Sequence, residues 1–274
     1  MVLPDTMKIV GHKLTNRNTK NVGICQAKIR PWAQETTLRE NKYKKEPCKM
    51  NKLIIQTLGT FLIGAIALGL LLFLPAGTLN YWQAWVFILV FLISVNTIGV
   101  YLSLKDPALL ERRKNIGPAA EQSTTQKIII TLAILGNIAL LIVCALDHRL
   151  GWSQMPGSVS LAGDALVALG LFIDLLVFRE NSYGASNIKV EEGQAVISTG
   201  PYALVRHPMY AGVLVMIIGV PLALGSWWGL AVLALITPGL IWRILDEEKV
   251  LEKDLSGYQE YEQKVRYRLV PYLW

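Results

Sequence analysis

His207, Arg206, Tyr202 and Tyr210 stand together within Ser198–Gly212, and a second polar cluster, Arg243-Ile244-Leu245-Asp246-Glu247-Glu248, follows one apolar hairpin later. An imidazole can relay a proton, and Arg243 with Glu247, at i and i+4 on one helix face, can form an ion pair or grip a ligand. Both clusters border apolar runs, where polar side chains are costly unless they line a protected cavity. A snorkelling Arg206 with anchoring tyrosines would also account for the first cluster. The second cluster, at the end of the last apolar run, shifts the reading toward a site.

The chain that must position them has 274 residues, 53% of them hydrophobic and 17% charged, with a mean hydropathy of +0.39. That is too apolar for a water-soluble domain of this size and places the chain in a membrane. The pattern predicts an all-α, polytopic helical bundle with about six transmembrane helices, over Leu53–Leu74, Tyr81–Leu104, Lys127–Leu146, Ser158–Phe178, Met209–Leu224 and Leu230–Ile244. The first of these has close to the ~20 residues a helix needs to span a bilayer. The fifth is shorter and is interrupted by Gly219 and Pro221. A tight turn at Gly225-Ser226-Trp227-Trp228-Gly229 makes the last two runs a hairpin, which returns both polar clusters to the same side. Residues 105–126 read as a loop with one amphipathic turn around Pro107–Arg113, and Arg179–Arg206 as a long central loop. Asp164 and Asp174 fall inside or at the rim of the fourth span; an acid there reads as solvated or paired with a basic group, and it raises a functional question.

Of the 27 Lys and Arg residues, every one except Arg149 lies before residue 53 or within 105–127, 179–206 and 243–274. This asymmetry predicts a multi-pass protein with both termini and both clusters in the cytoplasm, and it survives removal of residues 1–49. The net charge of +7 is therefore a matter of topology; no basic, aromatic-interleaved face suggests nucleic acid. Residues 1–49 are polar and aperiodic and read as a disordered basic extension, with Met50-Asn51-Lys52 as the expected true start of a 50–274 membrane domain. Cys25, Cys48 and Cys144 have no metal-ligand spacing, so neither a disulfide framework nor a metal site is expected. Beyond Arg243 the chain is charged and amphipathic and reads as a helix on the membrane surface.

Neither a nucleotide-binding Gly-rich loop, nor a paired-His motif, nor a Gly-x-Ser-x-Gly elbow is present. What is present is Gly200-Pro201-Tyr202-Ala203-Leu204-Val205-Arg206-His207-Pro208-Met209-Tyr210-Ala211-Gly212, an apolar hairpin, then Arg243 with Glu247-Glu248, Tyr258-x-x-Tyr261 and Arg266-Tyr267-Arg268-Leu269-Val270-Pro271. In order and spacing this resembles the isoprenylcysteine carboxyl methyltransferase family, over roughly residues 185–272, and Asp106–Arg113 resembles a loop of its bacterial members. The resemblance implies an integral-membrane enzyme that takes a methyl group from S-adenosyl-L-methionine bound in a cytosol-facing pocket. It implies cofactor contacts at Gln194, Ala195, Val196, Ile197, Tyr202, His207, Pro208, Tyr210 and Glu247, with Asn187 at a further position. Arg243 would bind the substrate carboxylate and Glu247 would offset cofactor charge, the two forming the catalytic pair.

The expected acceptor is a carboxylate on an apolar or prenylated molecule entering from the bilayer, with membrane lipid as the surrounding partner. A phospholipid N-methyltransferase is the nearest alternative, although Arg243 facing an amine would be unfavourable. From another class, Asp174, His207 and Glu247 could form the proton path of a small transporter, and a purely structural membrane protein would leave the clusters free to change.

Overall fold

A computed structural model describes residue 56 and residues 58–114, 117–121, 123–184 and 193–274. The expectations for residues 1–49 and the Met50 start, for Asn187 and for Glu191-Glu192 lie outside the described residues. The described chain folds into α1 (Leu58–Ala76), α2 (Trp82–Lys105), α3 (Pro107–Lys114), α4 (Thr124–Leu150), α5 (Gly157–Glu180), α6 (Pro208–Ala223), α7 (Trp227–Asp254) and α8 (Tyr258–Lys264). Short 3-10 turns occupy Pro118–Ala120 and Gly200–Ala203.

Helices α1, α2, α4, α5 and α7 are each long and apolar enough to cross a membrane, so the chain is a multi-pass helical membrane protein. The fifth apolar run forms only the 16-residue α6. At 1.5 Å per residue it reaches about 24 Å, short of the ~30 Å hydrocarbon core. Pro208 starts it at a position where a missing N–H costs nothing. Its place in the bundle is central: Tyr210, Ile217, Val220 and Ala223 are all buried, whereas α1 exposes Leu62, Ile63, Leu70 and Leu74.

Helix α6 runs antiparallel to α5, and the two backbones meet at glycines. A Cβ at Gly170 would stand 2.5 Å from both the Gly212 carbonyl oxygen and the Met216 amide nitrogen, and one at Gly219 would stand 2.7 Å from the Gly163 carbonyl oxygen. Small residues let helices approach this closely where lipid gives no hydrophobic drive to associate. The crossing sets the position of α6, and hence of His207 and Tyr210 at its start.

Two elements differ from the sequence expectation. The expected single turn near Pro107 is the two-turn α3, whose start is capped by Asp106: the Leu109 amide donates to Asp106 Oδ1 at 2.9 Å. Its Leu109 is fully buried, so tertiary packing holds the helix. The last apolar run, expected to end at Ile244, continues unbroken to Asp254. No helix breaker follows Ile244, and the Glu/Lys-rich continuation has high helix propensity.

At the end of the bundle carrying the α6–α7 turn, Asp147 is 1% exposed. It accepts from the Ser153 amide at 2.7 Å, from Ser153 Oγ at 2.6 Å and from Ser226 Oγ. Ser226 also caps α7 by accepting from the Gly229 amide at 2.9 Å, and Tyr81 donates to the Leu224 carbonyl at 2.6 Å.

Candidate functional site

The loop before α6 is pinned to the C-terminal segment by its backbone: the Arg206 amide donates to the Tyr267 carbonyl and the His207 amide to the Arg268 carbonyl, both at 2.9 Å. Helix α8 holds the same loop, since Tyr261 donates to the Tyr202 carbonyl at 2.8 Å. Together they shape a cavity lined by Gln194, Ala195, Val196, Ile197, Tyr202, His207, Pro208, Tyr210 and Glu247, with Asn181, Tyr183, Arg206, Leu251, Tyr258 and Tyr261 completing the wall. Every residue assigned to the cofactor from the described sequence thus borders one space.

Glu248, with a side chain only 4% exposed, holds two of the lining residues, Arg206 and His207. Arg206 Nη2 lies 3.0 Å from its Oε1 and His207 Nε2 3.2 Å from the same oxygen. Arg268 Nε donates to Oε2 at 2.7 Å, and Arg206 Nη1 also pairs with Glu262. A buried carboxylate is tolerated here because it is paired and hydrogen-bonded on both oxygens. Two donors on this side are left over: Tyr258 OH and Arg206 Nε are buried and make no hydrogen bond among the described residues. Across the cavity, Tyr202 OH accepts from Asn181 Nδ2 at 2.8 Å. Burial pushes the Tyr202 phenol up to about 12, with the Asn181 hydrogen bond pulling it down and the Glu247 charge raising it.

Arg243 stands elsewhere. Its ion pair is with Glu121 at 2.9 Å, and the pairing expected with Glu247 runs through Tyr210: Arg243 Nε donates to Tyr210 OH at 3.0 Å and Tyr210 OH donates to Glu247 Oε2 at 2.6 Å. Arg243 Nη1 donates to Gln126 Oε1 at 2.7 Å. It lines a second, apolar groove between α4, α6 and α7, walled by Ile129, Leu132, Val213, Ile217, Ile236 and Leu240. Tyr210 is the partition: its ring borders the first cavity and its hydroxyl touches the arginine of the second.

Asp174, expected to be solvated or paired, is 6% exposed, with Oδ1 lacking a hydrogen bond. Its basic neighbour is Arg113 of α3 rather than Arg179 close by in sequence. Arg113 in turn donates to the Gly184 carbonyl at 2.8 Å, lies 4.1 Å over the Phe178 ring and reaches Met209 Sδ at 3.5 Å. Sequence reasoning gave no role to Arg113, Glu121, Gln126, Glu248 or Arg268. The available signals were the place of Arg113, Glu248 and Arg268 within the segments that carry the resemblance and the position of Glu121 and Gln126 just before an apolar run.

Residues 159–256 match the family model described as phospholipid methyltransferase. That stretch covers nearly all of α5 and the whole of α6 and α7, and so Glu247, Glu248 and Arg243, but neither Glu121 nor Tyr258. A Delta(14)-sterol reductase of Mus musculus is 31% identical over 94 residues, 33% of this chain and 22% of the reductase. The similarity thus spans under a quarter of that relative's length.

Proposed function

We propose that the chain is an integral-membrane methyltransferase that uses S-adenosyl-L-methionine to methylate a carboxylate on a lipophilic, isoprenylcysteine-like acceptor. The observation that carries this reading is the pair of cavities meeting across Tyr210, one partly polar and bordered by the loop before α6, the other apolar and ending at Arg243. A water-soluble cofactor and a membrane-soluble acceptor need such a boundary. The residues fit the cofactor: unpartnered buried donors at Arg206 and Tyr258 call for an acceptor-bearing ligand, while Glu247 puts negative charge on the wall. When bound, S-adenosyl-L-methionine supplies a methyl group made electrophilic by a positively charged sulfur.

A carboxylate is ionised at neutral pH and needs no base before it attacks such a carbon. The work left to the protein is alignment and exclusion of water. Arg243 would hold the acceptor carboxylate with its planar fork, sharing or displacing Glu121. Tyr210 would fix the distance between the two ligands, and the acceptor tail would lie in the groove between α4, α6 and α7. The Lys and Arg distribution supports a cytoplasmic face for this site.

A phospholipid amine acceptor is the second reading. It is favoured by the family match and by the Arg243–Glu121 pair, which offsets the positive charge an amine would meet.

Calorimetry with purified protein tests the cofactor, comparing wild type with His207→Ala and Glu247→Ala. Micromolar-range binding lost in both variants is expected. Incubation with a prenylcysteine and, separately, phosphatidylethanolamine vesicles then distinguishes a methyl ester from an N-methyl product. Folded wild type that fails to bind S-adenosyl-L-methionine sinks the methyltransferase; binding of a reduced nicotinamide cofactor instead would point to a reductase, and pH-dependent solute flux to a transporter.

A further inference from the structure

Arg206 and Tyr258 are 5% and 3% exposed, border the same cavity, and keep Nε and the phenol OH without a partner among the described residues. An unmet buried donor costs roughly as much as a lost hydrogen bond, so two on one wall point to an acceptor that arrives with a ligand. The neighbourhood narrows its chemistry. Both Arg206 Nη atoms are spent on Glu248 and Glu262, leaving Nε as a charge-assisted donor that favours an anion. Glu247, the one acid among the described lining residues, is bound to Tyr210, so the cavity is polarised, with the donors beside Arg206 and a carboxylate beside Tyr210. Resting on the methyltransferase reading, we propose that Arg206 Nε and Tyr258 OH bind the α-carboxylate of the cofactor's amino-acid end. That end therefore lies against α8, and the sulfonium centre, two methylene groups beyond the α-carbon, lies on the way from α8 toward Tyr210.

Tyr258 is suited to the role because burial holds its phenol protonated and a donor at any physiological pH. Its ring packs with Leu255, Tyr261 and Val265, a cluster that phenylalanine preserves. Tyr258→Phe therefore removes one hydroxyl and keeps the fold, which a thermal melt checks.

The test is calorimetry of wild type and Tyr258→Phe with two probes, S-adenosyl-L-methionine and its decarboxylated analogue, which differ only in the carboxylate. Wild type should bind the analogue about tenfold to a hundredfold more weakly, the loss expected for a hydrogen-bonded charge. Tyr258→Phe should weaken S-adenosyl-L-methionine by about tenfold and leave the analogue unchanged. Equal binding of both probes by wild type, or an equal loss of both in Tyr258→Phe, overturns the assignment alone. Binding of neither probe by folded wild type overturns the methyltransferase reading and the assignment with it.

Discussion

Two buried carboxylates at opposite ends of the bundle each gather three side-chain or backbone groups, and they do so differently. Asp147 takes neutral donors from Ser153 and Ser226, and with the α7 cap on Ser226 the cluster closes on itself. Glu248 takes Arg206, His207 and Arg268, and around it the donors outnumber the acceptors, so that Arg206 Nε and Tyr258 OH remain unmet. Closure is what a structural network needs, since every unmet buried group subtracts from stability. A surplus of donors facing a cavity is what a ligand site needs. The difference separates polar groups that fasten helices together from polar groups that wait for a partner.

Asp147→Ala should produce the largest effect and the cleanest separation. It strips a charged acceptor from three donors, each such bond contributing about 1.5–3 kcal/mol, so a non-additive loss of about 3–5 kcal/mol is expected. Thermal melts followed by tryptophan fluorescence would read it. Because the cluster lies at the far end from the cavity, the fraction still folded should bind S-adenosyl-L-methionine as wild type does. A variant that melts normally but binds poorly would erase the distinction between the two ends.

How far the two ends could be read from sequence differs for the same reason. Local patterns carried the spans: apolar run lengths placed all five crossing helices, and the Arg206–Tyr210 and Arg243–Glu248 clusters stood out against them. The partners did not show, because the pairs close over long separations. Arg243 meets Gln126 and Glu121 across 117 and 122 residues, and at the start of an apolar run each of those reads as a solvated side chain. Tyr258 reads as part of a surface helix, since nothing in its spacing reveals that α8 folds over the loop before α6. Asp147 reads as a residue of a connector, yet α4 runs past it to Leu150 and buries it.

Asp164 sharpens the comparison from a third position. It lies inside α5, 5% exposed, with neither oxygen hydrogen-bonded, and it borders neither the cavity nor the groove. If unmet groups away from a cavity are only a cost, Asp164→Val should raise stability by about 1–3 kcal/mol, the desolvation penalty of one such group. A higher melting temperature with unchanged cofactor affinity is the expected result. A fall as large as that of Asp147→Ala would mean that Asp164 has a partner in the membrane and belongs with the closed cluster.

The smallest effect belongs to Asp106, a half-exposed acid that sits between the two kinds. It caps α3 through the Leu109 amide and accepts from Ser182, and α3 carries Arg113 to the Met209 side of the cavity. Hydrogen bonds from Ser182 and Leu109, aided by Arg112, hold its carboxyl below the usual aspartate range. A carboxyl whose folded pKa is depressed stabilises the fold above its unfolded value of about 4, and that contribution disappears as pH falls through the folded value. Asp106→Ala should therefore cost about 1 kcal/mol, constant between pH 7 and pH 5, with the gap to wild type narrowing as the medium is acidified further. Melting curves of both proteins across that range would show it. A gap that stays fully open in acid would mean that the side chain holds α3 by packing, leaving its hydrogen bonds without a role.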